Sequence, residues 1–192
     1  MVRIAIDGNI GSGKSTLINQ LKKNGYDVYH EDVTKWTDEG WLHNFYTDPK
    51  KYSLGFQLRI LLSQSEKMIL NNKNLIIHER SPFTLNNIFG KILLEDNNLS
   101  NLELELCYKF AEKFGWQPDY IIYLECNPNE CYNRIISRDR SDETIKLDYL
   151  QKLHDKHEHE FKRSSIPVYR IDASQKESYI YENCIKILKS IQ

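Results

Sequence analysis

A chain of 192 residues is long enough for one α/β domain with a real core, and 40% hydrophobic with 28% charged residues is a globular composition, neither disordered nor collagen-like. Its 26 Lys and Arg against 27 Asp and Glu lack the basic excess of proteins that grip a nucleic-acid backbone, so no nucleic-acid partner is expected. No apolar run approaches the roughly 20 residues of a membrane span, no N-terminal stretch resembles a signal peptide, and Cys107, Cys126, Cys131 and Cys184 lack CxxC spacing; a single cytoplasmic domain over residues 1–192 with free thiols and no membrane partner is the expectation.

The chain opens on an apolar strand at residues 2–6 and runs straight into GNIGSGKST, residues 8–16. GxxxxGKS is present in full as Gly8, Gly13, Lys14 and Ser15, with Gly11 inside the loop. Glycines let consecutive backbone N–H groups curl around an anion, and the following helix start adds partial positive charge. Lys14 would reach the outer phosphates of a nucleotide and the Ser15 hydroxyl would join the coordination of Mg²⁺, with Asn9, Ile10, Ser12 and Thr16 completing the cradle.

Residues 16–23 predict a helix with Leu17, Ile18 and Leu21 on one side, ended at Asn24 and Gly25. A strand over 26–30 then delivers Glu31 and Asp32. Ligands bind beyond the carboxyl ends of strands in an open parallel sheet, so an acid there should face the crevice; a capping or solvated carboxylate is the alternative. Residues 38–48 form a short helix with an aromatic face of Trp41, Leu42, Phe45 and Tyr46. In a longer helix over 50–71, Leu54, Leu58, Leu61 and Met68 form a core stripe. Gln57, Ile60 and Gln64 lie along another face and could read a nucleobase edge, if they are not simply solvated helix formers.

A buried strand at 75–77 ends in His78, Glu79, Arg80 and Ser81. Helices at 82–94 and 99–114 follow, then a strand at 120–124 leading to Glu125, which competes with Glu79 as the Mg-binding acid. The helix from residue 128 runs into RIISRDRSDE, where Arg134, Arg138 and Arg140 could close over a transferring phosphoryl group or form a solvated helix end. His154, His157 and His159 sit on a helix over 147–161 without a nearby Cys, and zinc is not expected. A strand at 166–171 and a helix carrying Ile180, Cys184, Ile187, Leu188 and Ile191 close the chain. Five strands separated by helices predict a doubly wound parallel sheet.

These boxes, in this order, resemble the deoxyribonucleoside kinases over nearly the whole chain: GNIGSGKST, HEDVTKW, FYTDPKKY with Phe56 and Gln57, HERS, DYIIYL, RDRSDE and YLQKLHDKHEHEF. The resemblance implies a phosphate-loop kinase fold with an arginine-rich lid at about residues 134–146, transfer of the ATP γ-phosphate to a deoxynucleoside 5′-hydroxyl, ATP and Mg²⁺ as cofactors, and a homodimer. It implies Glu31 as general base, Arg80 as holder of the 5′-oxygen and Glu31, and Glu79 rather than Glu125 beside Ser15 at Mg²⁺. Arg134, Arg138 and Arg140 match the lid, with Arg138 and Arg140 leading at the transferring phosphate. Tyr46 and Glu143 match the pair at the sugar 3′-OH, Gln57 the base-reading amide, and Trp36, Phe56 and Phe89 the pocket walls. Where purine- or cytidine-preferring members often carry Arg and Asp, this chain has Gln64 and Leu85, which resembles the thymidine-accepting members. Asp32 stands in place of the usual Pro, and Ile136 in place of a lid arginine. A thymidylate-type monophosphate kinase, a deoxypurine-preferring kinase and a nucleotide-binding switch without transfer are the competing readings.

Overall fold

The structure, a computed structural model, describes residues 1–67, 74–138 and 145–191. In chain order the elements are β1 (Val2–Gly8), α1 (Lys14–Lys23), β2 (Val28–Tyr29), α2 (Val33–Asp38), α3 (Trp41–Thr47), α4 (Pro49–Glu66), β3 (Leu75–Glu79), α5 (Pro82–Thr84), a π-helical turn (Leu85–Gly90), α6 (Lys91–Glu95), α7 (Asn101–Phe114), β4 (Tyr120–Glu125), α8 (Pro128–Arg138), α9 (Leu147–Lys162), β5 (Val168–Asp172) and α10 (Glu177–Ile191).

β1 buries Ile4, Ala5 and Ile6 completely, as an inner strand covered by helices on both faces must. It pairs in parallel with β3 and β4, while β2 extends the sheet beyond β3 and β5 beyond β4, giving the order β2-β3-β1-β4-β5. The register sets Ile6 beside Glu79 and Gly8 beside Leu124, so the glycine loop, Glu79 and Glu125 emerge at one end of the sheet. β3 and β4 flank β1 on opposite sides, which opens a crevice at that end where connections diverge.

Two hydrophobic clusters position this end. The main one joins the sheet to Leu17, Ile18 and Leu21 of α1, Leu150, Leu153 and Phe161 of α9, and Cys184 and Leu188 of α10. The second gathers Trp36, Phe56, Ile60, Leu61, Leu85, Cys107 and Ala111 beside the crevice. α7 begins with a reciprocal capping box between Ser100 and Glu103, and Asp48 caps α4 by accepting from the Lys51 N–H.

The structure corrects several sequence expectations. Only Val28 and Tyr29 form the second strand, because the Tyr26 N–H is still bonded to Leu21 O in the turn that ends α1. The helix expected over 38–48 is split: Asp38 ends α2, and Gly40, at φ 79°, breaks the chain before α3. On α4, Leu54 and Leu58 are only half-buried, and the buried face is Ser53, Phe56, Gln57, Ile60, Leu61, Ser63 and Gln64. Gln57 and Gln64 turn inward because the inside is a cleft as well as a core, while Ser53 bonds back to Pro49 O and Ser63 accepts from Trp36 and Arg59. Met68, with the rest of that stretch to residue 71, lies outside the described residues. The single helix expected over 82–94 contains the π-helical turn, which widens the helix where Leu85 and Phe89 reach the cleft.

Candidate active site

The phosphate loop takes its shape from backbone conformations closed to most side chains. Gly11 lies at φ 82°, and a Cβ there would come within 2.5 Å of the Cys131 carbonyl oxygen; Gly13, at φ 95°, turns the chain into α1. Lys14 Nζ folds back to donate to the carbonyls of Gly8 (3.1 Å) and Asn9 (2.7 Å). Burial, with the neighbouring Arg80 charge, pulls its pKa down to about 8 against the opposing pull of Glu31, Glu79 and Asp7. Ser15 Oγ donates to Glu79 Oε1 at 2.6 Å. Burial alone would raise the Glu79 pKa, but the hydrogen bond from His30, the Lys14 charge, the Ser15 hydrogen bond and the Arg80 charge outweigh it and bring it to about 2. An ionised carboxylate beside a serine hydroxyl at the loop is a donor pair suited to a hard cation such as Mg²⁺.

Glu31 meets Arg80 in front of this pair. Arg80 Nη1 is 2.5 Å from Glu31 Oε2, and the Glu31 N–H donates to Glu79 Oε2 at 3.3 Å. Burial raises the Glu31 pKa; Arg80 and Lys14 pull it down, Glu79 and Asp7 push it further up, and the net shift is upward. Arg80 itself is held firmly cationic, since Glu31, Asp7 and Glu79 outweigh its burial. Its backbone sits at φ 60°, unusual for a residue with a Cβ, fixed by its N–H to Ile6 O at 3.0 Å. The guanidinium also reaches Gly8 O at 3.4 Å and lies 4.9 Å from the centre of the Phe89 ring. Strain stored at a residue over-determined by its surroundings is common at functional sites.

A cleft of about 930 Å³ connects these groups, within the size range of small-molecule sites. Ile10, Gly11, Gly13, Lys14, Ser15, Thr16, Arg134 and Arg138 line one end; Glu31, Glu79 and Arg80 the middle; Trp36, Tyr46, Phe56, Gln57, Ile60, Gln64, Leu85 and Phe89 the other end. Trp36 and Phe56 meet edge to face at 5.8 Å. Gln57 Nε2 donates to Leu85 O at 3.4 Å, whereas Gln64 Oε1 is buried without a hydrogen-bond partner among the described residues. Gly8, Asn9 and Ser12 do not line the cleft and form the underside of the loop. Arg134 braces the loop region, donating to Ala173 O at 2.8 Å and pairing with Glu130 at 3.0 Å. Arg140 and Glu143 lie outside the described residues.

Glu125 is turned to Arg170 at 3.2 Å, and Arg170 also holds Glu158; Glu79 is therefore the acid that meets Ser15. Asp7, His30, Thr84, Tyr149, Gln175 and Glu177 are not marked as site residues by the sequence. His30, Tyr149, Gln175 and Glu177 line the cleft, while Asp7 and Thr84 hold it from beneath. The position of Asp7 at the end of a strand before a phosphate loop was the one available signal; nothing local marks Tyr149.

An anion cradle at one end of a cleft, a carboxylate clamped by an arginine in the middle, and an apolar pocket edged by amides at the other end define a phosphate-loop kinase. Residues 4–191 match the family model described as deoxynucleoside kinase, and the chain belongs to that family. It is similar to a probable deoxycytidine kinase of fowlpox virus, 36% identical over 98% of this chain and 89% of the relative, and to a thymidine kinase of ictalurid herpesvirus 1, 32% identical over 95% and 84%. A solved deoxyadenosine kinase from M. mycoides, with dCMP and a flexible dCDP as bound products, superimposes with a TM-score of 0.85 at 27% identity, covering 98% of this chain and 100% of that one. The protein is a phosphotransferase with an alcohol acceptor, a deoxynucleoside kinase that uses an ATP-type nucleotide. No described helix is long and apolar enough to cross a membrane.

Proposed function

We propose that this chain transfers the γ-phosphoryl group of ATP to the 5′-hydroxyl of a pyrimidine deoxynucleoside, thymidine foremost, as a single cytoplasmic domain serving nucleotide salvage and DNA precursor synthesis. The observation that carries the base preference is the neutrality of the pocket: Gln64 and Leu85, 6% and 5% exposed, put no charge against the base. A pyrimidine with carbonyl and N–H edges is met by the amides of Gln57 and Gln64, with Trp36, Phe56, Ile60 and Phe89 as walls.

In this reading Glu31 takes the 5′-hydroxyl proton as the 5′-oxygen forms its bond to the γ-phosphorus and the bond to the bridging oxygen breaks, ADP leaving with that oxygen. The raised Glu31 pKa suits a group that must accept a proton. Arg80 holds the carboxylate and the acceptor oxygen, and Lys14, Arg138 and the loop amides stabilise the charge on the moving phosphoryl group. Arg140 is assigned to that charge as well, and Tyr46 with Glu143 to the 3′-hydroxyl, the tyrosine ring crowding a ribose 2′-hydroxyl. Ser15 and Glu79 would hold Mg²⁺, which when bound neutralises phosphate-oxygen charge.

A homodimer is supported by exposed apolar side chains on the packed helices α4 and α7: Leu62, Leu102, Leu106 and Phe114 are 45%, 78%, 48% and 52% exposed. The experiment that tests the reading is a panel of the four deoxynucleosides and their monophosphates with ATP and Mg²⁺. Fastest turnover of thymidine is expected; preference for a deoxypurine overturns the base assignment, and phosphorylation of monophosphates alone overturns the acceptor.

A further inference from the structure

Beneath the phosphate loop lies a buried polar chain that the proposed chemistry does not use. His157, on α9, and Asp7, at the end of β1, are separated by 150 residues and are both 0% exposed. His157 Nδ1 lies 2.6 Å from Leu153 O and Nε2 lies 3.4 Å from Asp7 Oδ1. A carbonyl and a carboxylate only accept, so each of these two contacts calls for an N–H on the ring nitrogen that makes it. Its orientation is fixed by Tyr123, stacked at 5.7 Å, and by Phe161, edge-on at 5.5 Å.

Asp7 passes the constraint upward. Its Oδ1 accepts the Gly8 N–H at 2.8 Å and its Oδ2 accepts the Thr84 hydroxyl. Burial opposes ionisation of Asp7, but the bond and charge of His157, the Arg80 charge and the Thr84 bond outweigh it, leaving the pKa below its ordinary value. Gly8 is thereby held at both ends, since its carbonyl accepts from Lys14 Nζ at 3.1 Å and from Arg80 Nη2 at 3.4 Å. There is no slack around it: a Cβ on Gly8 would come within 2.7 Å of Leu124 O and of Ser12 Oγ. A second tie from the same helix, Leu150 O accepting from Asn9 Nδ2 at 2.9 Å, seats the next loop residue.

We propose that His157 is a positioning residue for phosphoryl transfer: acting through Asp7 and Gly8, it places Lys14, and so governs use of the nucleotide donor without touching either substrate. This rests on the reading of residues 8–16 as the donor site. A small displacement of groups that flank a transferring phosphoryl is felt strongly in rate, while the distant base pocket is untouched.

The test separates the two ring nitrogens. His157→Asn keeps a donor where Nδ1 meets Leu153 O but cannot reach Asp7; His157→Gln puts an amide N–H near the place of Nε2. His157→Asn should lower kcat/KM for ATP by about 10- to 100-fold and weaken calorimetric ATP binding, with the deoxynucleoside KM within about twofold, and His157→Gln should recover most of the loss. Unchanged ATP constants, equal losses for both substrates, or Asn and Gln variants alike would overturn the proposal. If His157→Asn does not fold, Asp7→Asn decides it, because it removes the charge at the other end of the same bond; normal ATP constants in that folded variant overturn the role. A native chain that binds no ATP overturns the donor reading itself, whereas native-like ATP binding by His157→Asn overturns only the role of His157.

Discussion

The carboxylate of Glu31 and the guanidinium of Arg80 face each other at 2.5 Å, with side chains only 13% and 9% exposed, where the end of β3 meets the segment after β2. In the proposed role, a guanidinium so placed would aim the carboxylate, and burial, which raises the Glu31 pKa, would favour its taking up a proton. Glu31→Gln preserves shape and an acceptor oxygen for Arg80 but removes the basicity. Turnover should fall by about 10²-fold or more, as for loss of a general base, with ATP binding by calorimetry retained. Near-normal kcat would remove Glu31 from that role.

The opposite shifts of Lys14 and Glu31 set two limbs of a pH profile. Lys14, drawn down to about 8, is charged below that pH in the free enzyme and neutral above it, so kcat/KM for ATP should decline as pH rises through about 8. At saturating ATP the triphosphate charge favours protonated Lys14, and the limb in kcat should move to higher pH. Glu31 is raised, so the acid limb, where the base becomes protonated, should lie above the usual carboxylate value of 4.5. Stopped assays across the pH range check both, and a flat kcat/KM for ATP through pH 9 would count against a functional Lys14. Lys14→Ala should abolish the alkaline limb along with most ATP use.

What the sequence made readable was the chemistry that is local along the chain. The glycine loop must be spelled out in consecutive residues, and acids placed just after apolar runs mark the ends of strands, so the order of residues alone puts Glu31, Glu79 and Glu125 at the crevice end, and only the structure shows Glu125 turned to Arg170. Facing was harder. Periodicity assumes that the buried side of a helix is its apolar side, yet α4 buries Gln57 and Gln64 and leaves Leu54 and Leu58 half-exposed, because one side borders the cleft, where these amides edge an otherwise apolar pocket. The positive φ of Arg80 and the bond from His157 to Asp7 depend on elements far apart in the chain and leave no local trace.

Base selection can be tested by restoring charge. Leu85→Asp alone would bury an unpaired carboxylate at a site now 5% exposed and should destabilise the protein, by about 3 kcal/mol or more, and depress all activities. Adding Gln64→Arg supplies a partner across the pocket. The double variant should regain stability in thermal melts relative to Leu85→Asp and shift kcat/KM away from thymidine toward deoxycytidine or deoxypurines by about tenfold or more. An unchanged preference order in a folded double variant would show that other residues choose the base.

The apolar surface of α4 and α7 gives the last test. Leu102 is 78% exposed, and Leu106, one turn further along α7, is 48% exposed, with Leu62 of α4 at 45%. These side chains belong to neither hydrophobic cluster, so an isologous contact between two copies would bury the same residues twice without disturbing the core. Leu102→Glu with Leu106→Glu would set like charges against each other across such a contact, while each monomer keeps its exposed helix face solvated. Light scattering should report a dimer for the native chain and a monomer for the double variant, with the melting temperature lowered and made independent of protein concentration. A native monomer at micromolar concentration, or a double variant that stays dimeric, would move the contact off this face.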